Sequence, residues 1–167
     1  MSNIRPGVVV VGVDGTSVGR AALTFAMREA SRRGSELRVV TTWTWNVNAA
    51  GFDAGIAEEP AEIRDRAQRA QDAAITAALE TITAPPVISR HVIEGDPRPA
   101  LVSMARDADY LVVGSANKNA VKRALLGSVS HYCVRHAPCP VVVVPHGQGV
   151  AHVMDQAADA QMPEPAR

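Results

Sequence analysis

Phosphate recognition requires a backbone open enough for an anion to approach, unpaired N–H groups, and an absence of competing carboxylates. Between Asp109 and Asp155 the chain has no Asp or Glu. Within that stretch Gly114-Ser115-Ala116-Asn117-Lys118 is followed by Lys122-Arg123 and then by Gly127-Ser128-Val129-Ser130. Tyr110 to Val113 reads as a buried strand and Val129 to His136 as a short helix. Gly127-Ser128 therefore falls at a helix N-terminus, where unpaired amides and the helix dipole attract anions. The expected ligand carries phosphate, and a nucleotide is the leading candidate.

The elements that would position these residues alternate along the chain. Val8 to Val13 is a continuous apolar run closed by Asp14-Gly15, the pattern of a strand covered on both faces. A helix follows, capped by Thr16 or Ser17, with Val18, Ala22, Leu23, Ala26, Met27 and Ala30 as its core stripe and Arg32-Arg33-Gly34 as its end. Leu37 to Trp43 is the second strand, and Asn46 to Ala57 a long loop. Pro60 opens a long helix whose stripe is read as Ile63, Ala67, Ala70, Ala74, Ala78 and Ile82, with Arg64, Asp65, Gln68, Arg69, Gln71 and Asp72 on the outer faces, and which ends before Pro85-Pro86. Val87 to Ile93 is the third strand. Asp96 caps and Pro97 starts a third helix lined by Leu101, Val102, Met104 and Ala105, and Val141 to Val144 is the fifth strand. Strands alternating with helices predict parallel pairing through right-handed crossovers.

Composition sets limits on partners. With 167 residues, 47% of them apolar, one domain with a full core is expected, at residues 1–146, and the Ala-, Gln- and Pro-rich residues 147–167 read as a flexible tail. Lys plus Arg and Asp plus Glu number 17 each, so no overall field draws the chain to nucleic acid or anionic lipid. Aromatic residues make up 4%, too few for a base-stacking platform. No signal-like segment and no apolar run of about 20 residues is present, so the expectation is a cytoplasmic protein without a membrane partner. Cys133 and Cys139 read as reduced, apolar fillers, and the five histidines show no ligand spacing, so no metal site is expected.

Taken in order, these blocks resemble the universal stress protein family. Its nucleotide signature, G-x2-G-x9-G-[ST], falls on Gly114, Asn117, Gly127 and Ser128, with three of four positions matched. The resemblance extends over roughly residues 6–146, through Val-Gly-Val-Asp-Gly after the first strand, Gly95-Asp96-Pro97, Leu125 to Ser130, and Cys139 to Pro145. It implies an α/β fold, Rossmann-like, with a five-stranded parallel open sheet of order 3-2-1-4-5 and helices on both faces. It also implies ATP, or AMP or cyclic AMP, across the carboxyl ends of the strands. Val13 and Asp14 would meet adenine or ribose, and the backbone near Thr42 adenine. Gly114 would leave room for ribose and phosphate, while Gly127, Ser128, Val129 and Ser130 would hold the phosphates, with Asn117 and Lys118 in the loop between. Mg2+ would rest on the nucleotide's own oxygens. The fifth strand, Val141, Val142, Val143 and Val144, would pair with its mate in a homodimer. The implied role is a regulatory binding module of the stress response.

Several of these residues carry a second reading. Asp14 is either a helix N-cap or a ligand contact, and agreement with the Gly127 block favours the contact. Lys118, Lys122 and Arg123 divide evenly between phosphate partners and a solvated face. Asn117 replaces the family glycine, and Asn is the side chain that best tolerates positive φ. Gly12, Asp14 and Ser17 match one of the three glycines of a dinucleotide fingerprint, and G-x-x-x-x-G-K-[ST] and G-x-S-x-G are absent. Two rivals remain: a slow ATPase or autophosphorylating enzyme acceptor at Ser128 or Ser130, and a nucleotide-free dimeric scaffold. Catalysis is not expected, since no general base accompanies those serines.

Overall fold

The computed structural model describes residues 6–45, 59–115 and 126–145. In chain order the elements are β1 (Val8–Gly12), α1 (Ser17–Arg33), β2 (Glu36–Trp43), α2 (Pro60–Leu79), β3 (Ile88–Glu94), α3 (Pro97–Met104), β4 (Tyr110–Gly114), α4 (Ser128–His136) and β5 (Val141–Val144). The five strands form one sheet of order β3-β2-β1-β4-β5. Every pairing is parallel, with Val10 beside both Arg38 and Leu111, and Val112 beside Val142. Asn117, Lys118, the Asn46 to Ala57 loop and the tail lie outside the described residues.

Local signals fix the helix ends. Thr16 accepts a hydrogen bond from the Gly19 amide as the N-cap of α1, and Gly34 closes the helix with φ 64°, the left-handed conformation glycine adopts without a Cβ penalty. Pro60 occupies the first turn of α2, and Asp96 caps α3 by accepting from the Arg98 amide ahead of Pro97. The Arg98 guanidinium also bonds the Asp96 carboxylate, which chiefly for that reason is lowered to about 2.

The order of the strands divides the core in two. α1 and α2 cover one face of the sheet, where Val9, Val11, Leu37, Val39 and Val112 meet Leu23, Met27 and Ile75. α3 and α4 cover the other, where Val8, Val10, Val40, Leu111 and Val113 meet Leu101, Ala105 and Cys133. β1 is therefore apolar on both sides, the reason its sequence shows no alternation. Cys133 is a free, fully buried thiol whose pKa burial raises to about 11, and Cys139 is also free.

The face that α2 turns to the sheet differs from the stripe expected. Ala70 is exposed, and the buried positions are Gln71, Ala74, Ile75 and Ala78. Gln71, assigned to an outer face by its polarity, is 1% exposed. Its Nε2 lies 3.2 Å from the Val39 carbonyl, 3.1 Å from Thr41 Oγ1 and 3.1 Å from the His91 carbonyl. Thr41 in turn donates to the Val13 carbonyl at 2.9 Å. A buried amide is tolerated when its donors are paired. Gln71→Met, which keeps the volume and deletes the donors, is expected to lower unfolding free energy by about 1–3 kcal/mol. A denaturant midpoint unchanged at constant slope would refute this.

Candidate functional site

β1 and β4 are neighbours whose chain connections leave in opposite directions, β1 toward β2 and β4 toward β5. At such a switch point the following helices diverge and leave a crevice outside the carboxyl ends of the strands. A cleft of about 150 Å3 lies there. Val13, Asp14, Thr42, Gly114, Gly127, Ser128, Val129 and Ser130, drawn from four separate stretches of sequence, all line it. Asn117 and Lys118 fall outside the described residues.

One wall is the start of α4. Its N-cap is Gly127, which has no side chain to accept from the first turn, and His131 makes the first intrahelical bond, to the Gly127 carbonyl at 2.8 Å. The amides of Ser128, Val129 and Ser130 are thus without a hydrogen-bond acceptor among the described residues. No acidic residue stands in that turn, and Arg135 and His136 occupy the last turn. The arrangement presents three free donors at the positive end of a helix dipole. Ser128 is exposed beside them. Ser130 differs from expectation: it is 1% exposed and its Oγ donates back to the Gly127 carbonyl at 3.1 Å, so its side chain braces the turn while its amide remains free.

The opposite wall is the β1–α1 turn. Asp14 is not the N-cap, a place Thr16 takes. Asp14 Oδ1 accepts from the Thr16 amide at 3.0 Å and the Thr16 hydroxyl at 2.6 Å, which holds the carboxylate in one orientation. Oδ2 accepts no hydrogen bond among the described residues and can receive hydroxyl donors. Gly15, at φ 79°, makes the turn.

Gly114 meets a constraint of a different origin from the one expected. A Cβ built there would lie 2.6 Å from Val18 Cγ1 and 3.3 Å from the Val18 backbone. Its missing side chain is thus required by the close approach of α1 to the end of β4. Gly19 is tight in the same way, with a Cβ reaching 2.5 Å from Asp14 Oδ1.

Sequence reasoning missed the floor. Pro97 and Leu101 of α3 reach the cleft because the crossover from edge strand β3 to β4 passes over β2 and β1. Gly95-Asp96-Pro97 signalled the helix start, but its place beneath the cleft depends on strand order. Ser115, with a buried Oγ that has no hydrogen-bond partner among the described residues, also lines the cleft.

A family model described as "Universal stress protein family" matches residues 7–145. The chain belongs to the universal stress protein family. Universal stress protein Rv1996 of Mycobacterium tuberculosis is 33% identical over 150 residues, which are 82% of this chain and 47% of that protein. The chain therefore spans about half the length of the curated relatives it matches. A solved universal stress protein in complex with cAMP superposes with a TM-score of 0.56 at 25% identity, covering 86% of this chain and 99% of its own. The Archaeoglobus fulgidus universal stress protein in complex with dAMP gives a TM-score of 0.60 at 21% identity, covering 84% and 98%. The expected family and the parallel 3-2-1-4-5 sheet both hold. Among the described residues no helix is long and apolar enough to cross a membrane.

Proposed function

We propose that this universal stress protein binds an adenine nucleotide, ATP or AMP, in the cleft between the ends of β1 and β4, and acts as a regulatory module whose occupancy biases its assembly. The observation that carries the reading is the uncapped first turn of α4, three amides without acceptors among the described residues and no acidic residue in that turn, with Asp14 lining the same cleft. Phosphates suit the first wall and ribose hydroxyls the second, with Val13 and Thr42 beside the base. The complexes of relatives with cAMP and dAMP support the same class of ligand. The cleft is smaller than the roughly 300–1,000 Å3 of pockets that enclose a whole small ligand, so the nucleotide would project past its lip. Any Mg2+ would rest on phosphate oxygens, the usual way this cation is held beside a nucleotide. Chromatography of small molecules released by denaturing the purified protein, followed by calorimetric titration with ATP and AMP, tests the assignment. Absence of adenine nucleotide in both would overturn it.

Assembly follows from the sheet edge. β5 is a terminal strand of four valines, of which Val141, Val142 and Val143 are only partly covered. An apolar edge of this kind needs a cover, and pairing with β5 of a second copy supplies one, with Pro145 ending the ladder. Sedimentation is expected to give a dimer at concentrations on the order of tens of micromolar. A monomer there would count against this pairing.

A further inference from the structure

Away from the cleft, α2 and β3 leave a second cavity of about 330 Å3 between them, lined by Arg64, Gln68 and Gln71 of the helix and by Arg90 and His91 of the strand. The inward face of α2 changes character along its length. Ala74, Ile75 and Ala78 are buried against the sheet. One, two and three turns before Ile75 the same stripe carries Gln71, which is buried, and then Gln68 and Arg64, which are exposed. A helix face directed at a sheet is ordinarily apolar, and of these three polar residues only Gln71 is buried against it.

The charged donors of the wall are its two arginines. Gln71 commits Nε2 to acceptors on β2 and β3, and its Oε1, buried without a partner among the described residues, is an acceptor that gives an oxyanion no donor. Arg90 Nε is 3.1 Å from Asp72 Oδ1, with both side chains half exposed. Arg64 makes no ion pair among the described residues. His91 contributes its carbonyl to Gln71, while its ring Nε2 lies 3.3 Å from Ser89 Oγ. Two guanidinium groups thus border the cavity, with no carboxylate among its lining residues, although Arg90 is paired with Asp72.

We propose that this cavity is a second ligand site, specific for a small oxyanion bearing phosphate or carboxylate, held between Arg64 and Arg90. The guanidinium fork matches both groups through paired N–H donors. Asp72 holds Arg90 in place and shares it with the ligand. The site is separate from the nucleotide cleft and does not depend on that assignment. A hydrogen-bonded chain nevertheless joins them, from Gln71 through Thr41 to the carbonyl of Val13, which lines the cleft.

The test is an NMR titration of arginine side-chain Nε–H signals with inorganic phosphate and, separately, succinate. It is carried out on the Gly127→Asp protein, whose α4 amides are blocked. The expected result is saturable shifts of the Arg64 and Arg90 signals, and of the side-chain amide signals of Gln68 and Gln71 that line the same cavity, at about millimolar probe; read on those amides, affinity is weakened about tenfold or more in Arg64→Ala/Arg90→Ala. That variant is expected to keep its thermal midpoint, because the ion pair it removes is exposed. The more tightly bound probe identifies the group preferred. No saturable shift with either probe, or equal affinity in the folded double variant, overturns the proposal. Neither outcome bears on nucleotide binding, which is read on the wild-type cleft.

Discussion

Gly127→Asp is expected to abolish nucleotide binding while leaving the fold at least as stable. The position is the N-cap of α4, with φ −66° and ψ 165°, an extended conformation that any residue adopts. Asp is among the best N-caps, so its carboxylate should accept from the Val129 and Ser130 amides and stabilise the helix by a few tenths to about 1 kcal/mol relative to glycine. The same bonds remove the donors on which phosphate would rest, and they place a fixed negative charge where the ligand's charge would sit. Like charges in a partly desolvated site oppose one another by several kcal/mol, about a thousandfold or more in affinity. The measurement is calorimetric titration with ATP alongside a thermal melt. Retained binding by the folded variant would mean that the nucleotide lies elsewhere, whereas loss of both binding and folding would show that Gly127 has a structural role the backbone geometry does not reveal.

Gly114→Ala is expected to destabilise the protein by about 2–3 kcal/mol, the range of overpacked cores. The added methyl would lie 2.6 Å from Val18 Cγ1, and relief requires α1 to move away from β4, because the Val18 backbone is itself at 3.3 Å. Val18→Ala removes the nearest clashing atom, so the double variant should recover part of the loss, a coupling of about 1 kcal/mol or more in a double-mutant cycle. The alternative is that Gly114 is glycine for the ligand's sake. It makes the opposite forecast, an unchanged denaturation midpoint with weakened ATP affinity, and equilibrium denaturation with a parallel titration separates the two.

Much of the fold was legible because its signals are local. The apolar run of β1, the stripe of α1, the Thr16 cap, the Gly34 terminus and the Asp96-Pro97 helix start each depend on residues within a turn or two of one another. The start of α4 was legible for the same reason, since a helix beginning at Gly127-Ser128 leaves its amides open whatever else surrounds it. Resemblance to the universal stress proteins then added the strand order, which no local signal contains.

What only the tertiary structure decided concerns which atom meets which across the chain. Gln71 was placed outside because polarity is a statistical guide to exposure, yet three acceptors converge on its amide from two strands that lie far from it in sequence. Ser130 and Ser128 are equivalent hydroxyls in the sequence, and the helix geometry turns one onto Gly127 and leaves the other exposed. Gly114 lines the cleft as expected of room for a ligand, and only the folded chain shows that a Cβ there would also meet Val18 of α1. Pro97 and Leu101 became the floor of the cleft through a crossover that spans two strands. Sequence determined where the chain turns and where amides are left open, because hydrogen bonding and side-chain periodicity act over a few residues. The choice among chemically similar neighbours waited on packing, because close contact between segments far apart in the chain exists only once they are folded together.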